Sequence, residues 1–213
     1  VYYAPAFLIT DDENDSLPNA QVYITWMNGT RDAIPRYTTD KGFINLTNIP
    51  AGNYGFTILW KDAVVQQTTV HVDSDGPYII RTQVYQLTVQ VFGNNGMPIH
   101  GAYVIVYTQS GVGYGLDISD PAGKAFFKLP SGAYRIDAYY TSDYWLTIIK
   151  TSSSEPVSVT AATHKNMILA DFPTAIWSTT GFWILIGSVI AVAVATAFTF
   201  YVIYKKALIR RIA

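Results

Sequence analysis

The sequence predicts an all-β fold, namely two tandem antiparallel β-sandwiches followed by one transmembrane α-helix. Three observations predict it: short strands with alternating apolar residues, a unit that recurs about 80 residues further along, and an uncharged run from 172 to 204. The 213 residues, half of them apolar, are enough for two small domains and an appendage. Cysteine is absent, which excludes disulfide bonds, a thiol nucleophile and cysteine-ligated metal sites.

The first 170 residues alternate apolar and polar side chains with a period of two, as a strand with one wet face requires. The stretches "AQVYITW", "NYGFTILW" and "AYRIDAYY" show this most clearly. Clusters of Gly, Pro, Asn and Asp separate such stretches and supply the turns. We therefore expect a sandwich of about seven strands in each unit. The residues predicted to face inward are Val22, Ile24, Trp26, Tyr54, Phe56, Ile58, Trp60, Tyr134, Ile136, Ala138 and Tyr140.

The chain contains this unit twice. The segment "SLPNAQVYI" resembles "GMPIHGAYVIV", and "TTDKGFINLTNIPAGNYGF" resembles "ISDPAGKAFFKLPSGAYRI". Repetition at a fixed period indicates a duplicated structural unit. The link around Thr82 to Tyr85 has no Gly or Pro, so we expect abutting units with little hinge freedom. The pairs matched at a shift of 80 are Pro18 with Pro98, Tyr23 with Tyr103, Thr39 with Ser119, Asp40 with Asp120, Pro50 with Pro130, Gly52 with Gly132 and Tyr54 with Tyr134.

The predicted domains are residues 1–83 and 84–171, then a linker at 172–180, the membrane helix at 181–204 and a basic tail at 205–213. Their segments "PNAQV" and "PIHGAYV", "TDKG" and "SDPAG", and "IPAGNY" and "LPSGAY" approximate a Pro-x-x-A-x-V start, a Thr-Asp-x-x-Gly hairpin and a Leu-Pro-x-Gly-x-Tyr hairpin. In these motifs they resemble the carboxypeptidase regulatory-like, or transthyretin-like, group of Ig-like sandwiches. The resemblance covers roughly residues 6–82 and 86–170, with Ile49 in place of the Leu in the first unit. It implies non-catalytic spacer, adhesion or accessory modules.

The run at 181–204 is long and apolar enough to cross a bilayer. Its 24 residues, at about 1.5 Å of rise each, span a hydrocarbon core of about 30 Å. Aromatic residues at each end are typical of membrane interfaces. The composition and the C-terminal anchor resemble those of archaeal cell-surface proteins. The interfacial aromatic residues are Trp177, Trp183, Tyr201 and Tyr204.

Charge predicts the orientation. Four cations without an acid follow the helix, so by the positive-inside rule the tail is cytoplasmic and residues 1–176 lie outside the cell membrane. Without these cations the formal net charge of −1 becomes −5, which gives a nucleic-acid partner little electrostatic support. The cations are Lys205, Lys206, Arg210 and Arg211.

Small residues recur every four positions along the predicted helix, at Gly187, Ala191 and Ala195. Small residues at this spacing let helix backbones approach closely within a bilayer. They are candidate contacts with a second helix, of this chain or of a larger membrane assembly.

We find no catalytic constellation and expect neither an enzyme nor a cofactor. His71, His100 and His164 are scattered singly, without the spacing that presents two nitrogens to one metal, and no strained-turn motif marks a nucleophile. Most of the sixteen tyrosines and five tryptophans fall on inward positions, which favours packing over sugar binding. The exceptions, as a contact surface, are Tyr139, Tyr144 and Trp145.

Two acidic loops, "DDENDS" and "DSDG", offer oxygen ligands for calcium, although neither completes a twelve-residue calcium loop. The alternative is a solvated turn capped by its own side chains. The candidate ligands are Asp11, Asp12, Asp15, Asp73 and Asp75.

Three Asn-x-Ser/Thr sequons begin at Asn14, Asn28 and Asn45, all in the first unit. They are candidates for N-linked glycans on an extracellular domain, and unmodified asparagines are the alternative.

These observations favour a non-catalytic, membrane-anchored scaffold or adhesion protein of the cell envelope that presents two stacked sandwiches for protein contact. The alternative is an accessory single-pass subunit of a membrane enzyme, transporter or secretion complex. The expected partners are membrane lipid and other membrane or envelope proteins, contacted through the helix and the sandwiches.

Overall fold

The computed structural model describes residues 1–144, 147–170, 184, 186–199 and 201. Within them the chain is mostly β, which confirms the predicted fold class at that level.

The first unit packs a three-stranded sheet on a four-stranded sheet. The orders are β5-β2-β9 and β4-β3-β7-β8, and β1 pairs separately with β6. The first long strand, β2, lies parallel to the last, β9. The strands are β1 (Tyr2–Tyr3), β2 (Ala6–Thr10), β3 (Gln21–Thr25), β4 (Arg36–Tyr37), β5 (Phe43–Asn45), β6 (Ile49–Pro50), β7 (Gly52–Trp60), β8 (Ala63–Val72) and β9 (Tyr78–Arg81).

The second unit repeats this topology, with sheet orders β13-β10-β16 and β12-β11-β14-β15. Its first strand, β10, again lies parallel to its last, β16. The predicted seven-stranded sandwich is thus present in both units, three strands on four. The strands are β10 (Val84–Gly93), β11 (Tyr103–Thr108), β12 (Gly113–Ile118), β13 (Lys124–Pro130), β14 (Gly132–Tyr144), β15 (Thr147–Val159) and β16 (Thr163–Leu169).

Each unit has its own hydrophobic core between its two sheets. The alternation predicted which residues fill it. The strands β3, β7, β11 and β14 bury every second side chain, as an antiparallel sheet with one wet face does. Of the eleven predicted inward residues, eight are buried, and Trp26, Trp60 and Tyr140 pack half-buried against the cores.

The two units can be aligned on hydrogen bonds that both contain. The difference in residue number between equivalent positions changes along the chain. The shift is 82 residues at the start of the unit, 81 at the turn before β5 and β13, and 80 at β7 and β14. The first unit therefore has one extra residue in each of two connections. The equivalent bonds are Leu17 N to Ile9 O with Ile99 N to Val91 O, Ala20 N to Thr38 Oγ1 with Ala102 N to Ser119 Oγ, and Tyr54 OH to Pro50 O with Tyr134 OH to Pro130 O.

This alignment corrects part of the predicted pairing. Gly52 and Tyr54 match the second unit at a shift of 80, as predicted. The pairs of Pro18 with Pro98, Tyr23 with Tyr103, Thr39 with Ser119 and Asp40 with Asp120 are wrong by one or two residues. Sequence similarity at a constant shift cannot detect a loop that is one residue longer. The structure instead equates Ser16 with Pro98, Tyr23 with Ile105, Thr38 with Ser119 and Thr39 with Asp120.

Residues 186–199 form an α-helix in the described part of the chain. Its apolar side chains are exposed; Val192 and Phe198, for example, are 68% and 66% exposed. None of the helices in the described residues is long and apolar enough to cross a membrane. The predicted residues Trp177, Trp183, Tyr204, Lys205, Lys206, Arg210 and Arg211 lie outside the described residues.

Candidate functional site

The joint between the two units is made by one continuous strand. At the start of β10, Val84 is fully buried in the first core, and three residues later Leu87 is fully buried in the second. Backbone hydrogen bonds fix the preceding residue on both sides, since Gln83 N donates to Val65 O of the first unit and Ser131 N of the second unit donates to Gln83 O. These bonds leave the link little rotational freedom, as its lack of Gly and Pro predicts.

An ion pair across the joint also connects the two units. Lys128 on β13 places its Nζ 2.7 Å from Asp11 Oδ2 and 2.9 Å from Asp15 Oδ2, both in the first unit. The Asp11 side chain is only 5% exposed, so this cation is its charged partner in a nearly water-free place. Burial lowers the pKa of Lys128, but the hydrogen bonds that its ammonium donates to both carboxylates outweigh burial and raise that pKa overall.

The tip of the β7–β8 hairpin forms a second contact across the joint. Lys61 and Asp62, both with positive φ, form its two-residue turn. Lys61 Nζ lies 4.8 Å from the ring centroid of Tyr114 in the second unit and at the same distance from Trp60 in its own. Burial lowers the pKa of Lys61. The ammonium is thus held between two aromatic faces.

Tyr114 itself has a buried hydroxyl without a hydrogen-bond partner among the described residues. Burial raises the pKa of this phenol, with smaller contributions from Tyr134 and Asp62. Its ring contacts Tyr134 edge-on at 5.6 Å. An unsatisfied buried hydroxyl is costly, and here it lies under the charged tip of the neighbouring unit.

Four of the five predicted calcium ligands, all except Asp12, bond through their side chains to other groups that the structure describes, and Asp15 does so through Lys128. Asp11 Oδ1 accepts hydrogen bonds from the backbone N of Glu13 and Asp15, in addition to the contact with Lys128. Asp73 Oδ1 accepts from the Tyr78 hydroxyl, and Asp75 Oδ1 accepts from Ala4 N. Within the described residues, no group of three or more His, Cys, Asp or Glu side chains is placed to hold a metal.

The three histidines lie on different elements, each with a local partner. His71 Nδ1 is 2.8 Å from Asn53 Oδ1, His100 Nδ1 is 3.0 Å from Ser119 O, and His164 Nε2 is 2.9 Å from Asn166 Oδ1. The structure does not bring them together.

The outer face of the sheet β12-β11-β14-β15 carries an apolar patch, which we call the tyrosine face. Tyr139, one of the predicted contact residues, stacks on Tyr103 with ring centroids 5.1 Å apart. Next to them a groove of about 350 Å³ runs towards Ser152 and Ser154. Tyr144 ends β14, and its side chain and Trp145 lie outside the described residues. The face consists of Tyr103, Ile105, Leu116, Ile118 and Tyr139.

Side chains close both lateral edges of the second sandwich. Asp117 on edge strand β12 accepts a hydrogen bond from Phe126 N on edge strand β13, at 2.8 Å. On the opposite side, Lys165 of β16 pairs with Glu155 of β15, at 2.7 Å. Such contacts blunt sheet edges against pairing with another chain. The tyrosine face of this sandwich lies away from both of these bridged edges.

The sequons lie in three different settings. Asn14 accepts a hydrogen bond from Arg81 and precedes Asp15 of the Lys128 ion pair. Asn45 ends β5, opposite Ala6 of β2. Asn28 lies in the exposed turn after β3, where its Oδ1 accepts hydrogen bonds from Thr30 N and Thr30 Oγ1.

In the described helix the small residues Gly187, Ala191 and Ala195 are exposed along with its larger apolar side chains. Two threonine hydroxyls bond within the helix, Thr196 to Val192 O and Thr199 to Ala195 O. Such bonds satisfy a hydroxyl without water.

Comparisons with known proteins give distant likenesses only. No protein-family model and no curated protein matches this chain, so the resemblance to the carboxypeptidase regulatory-like group is not matched by a family model. Among the similar solved structures are the TIE protein of Bacillus anthracis (16% identity, TM-score 0.34), a streptococcal ancillary pilin (15%, 0.33) and the shaft pilin SpaA of Lactobacillus rhamnosus GG (10%, 0.41).

The alignments cover 79%, 77% and 83% of this chain, and 34%, 62% and 100% of those structures. This chain thus spans about a third of the TIE structure and under two thirds of the ancillary pilin. Two of these three structures are described as pilins, and at this distance the likeness bears on neither the activity nor the partners of the chain.

Sequence reasoning missed the joint as a site. Lys128 and Asp15 are 113 residues apart, and neither belongs to a recognisable motif. The only local signal was the link without Gly or Pro, which predicted abutting units but not the residues that hold them.

Proposed function

We propose that this chain is a non-catalytic, membrane-anchored scaffold or adhesion protein of the cell envelope, with its two sandwiches outside the membrane. The observation that carries the proposal is the joint. Strand β10 enters both cores, and Lys128 bonds two carboxylates of the other unit, so the two sandwiches form a stiff spacer. A stiff spacer holds a contact surface in a fixed position relative to its anchor.

The anchor in this proposal is the uncharged segment 181–204. Its support is the length and composition of the run, together with exposed apolar side chains and internally bonded threonines over residues 186–199. The test is alkaline carbonate extraction of membranes combined with protease treatment of intact cells. We expect the chain to remain in the membrane pellet and to lose its sandwiches to external protease. Release into the supernatant would contradict the anchor, and full protection would contradict the orientation.

The contact surface in this proposal is the tyrosine face. Its test is the pair of substitutions Tyr103→Ser and Tyr139→Ser, with Tyr37→Ser as the matched control, because Tyr37 is an exposed tyrosine of the first unit. Mild-detergent extraction and cross-linking should recover an envelope protein with the native chain and the control, and lose it with the double variant. Recovery with all three would remove this face from the proposal.

The helix supports a second candidate function, that of an accessory subunit of a larger membrane complex. The observation that favours it is the exposure of Gly187, Ala191 and Ala195 at a spacing that permits close helix contact. Gly187→Leu with Ala191→Leu should reduce the assembly size in native gels and leave membrane insertion unchanged. The control is Val194→Leu, at an already bulky position, and an unchanged assembly size in the double variant would exclude the helix contact.

A further inference from the structure

We propose that Asn28 is the acceptor of an N-linked glycan, at the end of the first unit furthest from the joint. The inference rests on the proposed function, because the modification takes place on the outer side of a membrane. The three sequons are equal as sequence patterns, and the structure separates them.

At Asn28 the two groups that define a sequon touch each other. Thr30 Oγ1 donates to Asn28 Oδ1 at 2.7 Å, and Thr30 N donates to the same oxygen at 3.0 Å. The turn therefore holds the carboxamide and the hydroxyl of this sequon next to each other at an exposed surface. At Asn14 and Asn45 no such bond links the asparagine to the hydroxyl two residues later, in a region that the structure describes completely.

The turn around Asn28 also leaves space for a bulky glycan. Two backbone hydrogen bonds close the turn: Trp26 N donates to Thr30 O at 2.7 Å, and Gly29 N donates to Trp26 O at 2.8 Å. A Cβ built on Gly29 would have no atom within 4 Å. Asn28, Gly29 and Thr30 are all exposed. A glycan here is compatible with the folded state without displacing any side chain.

The other two sequons are exposed as well, but their asparagines lie in settings that other contacts occupy. Asn14 accepts a hydrogen bond from Arg81, and the adjacent Asp15 bonds Lys128 of the second unit, so a glycan here would have to leave both contacts in place. Asn45 ends a strand, and its backbone is held opposite Ala6.

The position of Asn28 follows from the strand register. Strand β3 begins at Gln21, opposite Leu59, next to the hairpin tip that contacts the second unit. It ends at Thr25, opposite Gly55, and the Asn28 turn comes next. The glycan thus lies at the pole opposite the joint and, with a C-terminal anchor, at the outermost end of the molecule.

The reaction joins Asn28 Nδ2 to the anomeric carbon of a sugar. The donor is an oligosaccharide linked through phosphate to a lipid. The bond from the anomeric carbon to the phosphate oxygen breaks, the lipid phosphate leaves with the electron pair, and the amide proton passes to a base of the transferase.

The experiment is glycopeptide mass spectrometry of the full chain isolated from its own membranes. Chymotrypsin, which cleaves after aromatic residues, places the three sequons on the separate peptides 8–23, 27–37 and 44–54. We expect added hexose-type mass on peptide 27–37. It should disappear in Asn28→Gln and in Thr30→Val, and persist in Thr30→Ser and in the control Asn14→Gln.

An unmodified peptide 27–37 overturns the inference, whether or not the other two peptides carry sugar. Treatment of intact cells with external protease then distinguishes failure of the glycan inference from failure of the proposed extracytoplasmic placement. If the sandwiches are digested, the glycan inference alone has failed. If they are protected, the extracytoplasmic placement has failed as well.

Discussion

Buried tyrosine hydroxyls differ in whether they find an acceptor. Tyr54 and Tyr134 occupy the same place in the two units, and each donates to the proline carbonyl four residues upstream, at 2.7 and 2.9 Å. Tyr114 has no equivalent bond within the described residues. Because an unpaired buried hydroxyl costs more than a paired one contributes, the same substitution has opposite effects at these sites.

Tyr114→Phe is expected to raise the free energy of unfolding by about 1 kcal/mol, because it removes a polar group that has lost its water. Tyr134→Phe is the matched comparison and is expected to lower it by about 1 kcal/mol, since Pro130 O loses its donor. Urea unfolding of the full chain in detergent measures both. Destabilisation by Tyr114→Phe would show that its hydroxyl is satisfied by water.

At the scale of an element, one turn recurs in both sandwiches because only glycine fits it. Gly42 and Gly123 have φ of 76°, before β5 and β13. A Cβ at Gly123 would lie 2.6 Å from Val91 O, and one at Gly42 would lie 2.8 Å from Ile9 O. These carbonyls belong to β2 and β10, the first long strand of each unit, so the turn packs directly on the sheet.

Gly123→Ala is expected to destabilise the second unit by about 2–3 kcal/mol, from the positive φ and the displaced carbonyl. The control is Gly96→Ala, with φ of 75° and no atom within 4 Å of the added Cβ. This substitution should lower the free energy of unfolding by only about 1 kcal/mol, the cost of placing a side chain at a positive φ. Thermal unfolding of both variants gives the comparison, and equal losses would mean that the close approach to Val91 O is unimportant.

At the scale of the whole molecule, the joint decides whether the two sandwiches behave as one body. Lys128→Met is expected to lower the free energy of unfolding by about 1–2 kcal/mol and to make the link at 82–85 more sensitive to protease, because Asp11 stays buried without its cation. Lys124→Met, on the same strand, is the control, since Lys124 has no ion pair in the described part of the chain. An additive double variant with Asp11→Asn would rule out coupling between the two side chains.

Stability of the whole molecule is expected to fall above about pH 10. Burial raises the pKa of Tyr54, Tyr114 and Tyr134, and the Asp11 and Asp15 contacts outweigh burial to raise that of Lys128. A raised folded-state pKa contributes stability that is complete below the unfolded pKa and is lost as pH rises through the folded value. Lys61, whose pKa burial lowers, opposes this trend. Unfolding midpoints between pH 8 and 11.5 check it, and Tyr114→Phe should flatten the decline.

The sequence by itself determined the β class, the inward residues and the duplication. These are local properties, because the strand period, the turn residues and the spacing of the repeat can be recognised without knowing any distant contact. That is why Phe56 and Ile136 could be assigned to cores. The repeat pairing of Tyr23 was wrong by two residues, because two connections of the first unit each have one extra residue.

Only the tertiary structure decided which side chains meet across units and which sequon bonds its asparagine to its own hydroxyl residue. Lys128 contacts Asp11 because the continuous strand β10 fixes how one sandwich is rotated on the other, and rotation leaves no trace in a local pattern. The bond between Asn28 and Thr30 likewise depends on a turn that the shared pattern Asn-x-Ser/Thr does not specify. Periodicity encodes the environment of each residue, whereas contacts between distant residues follow from how the finished units pack.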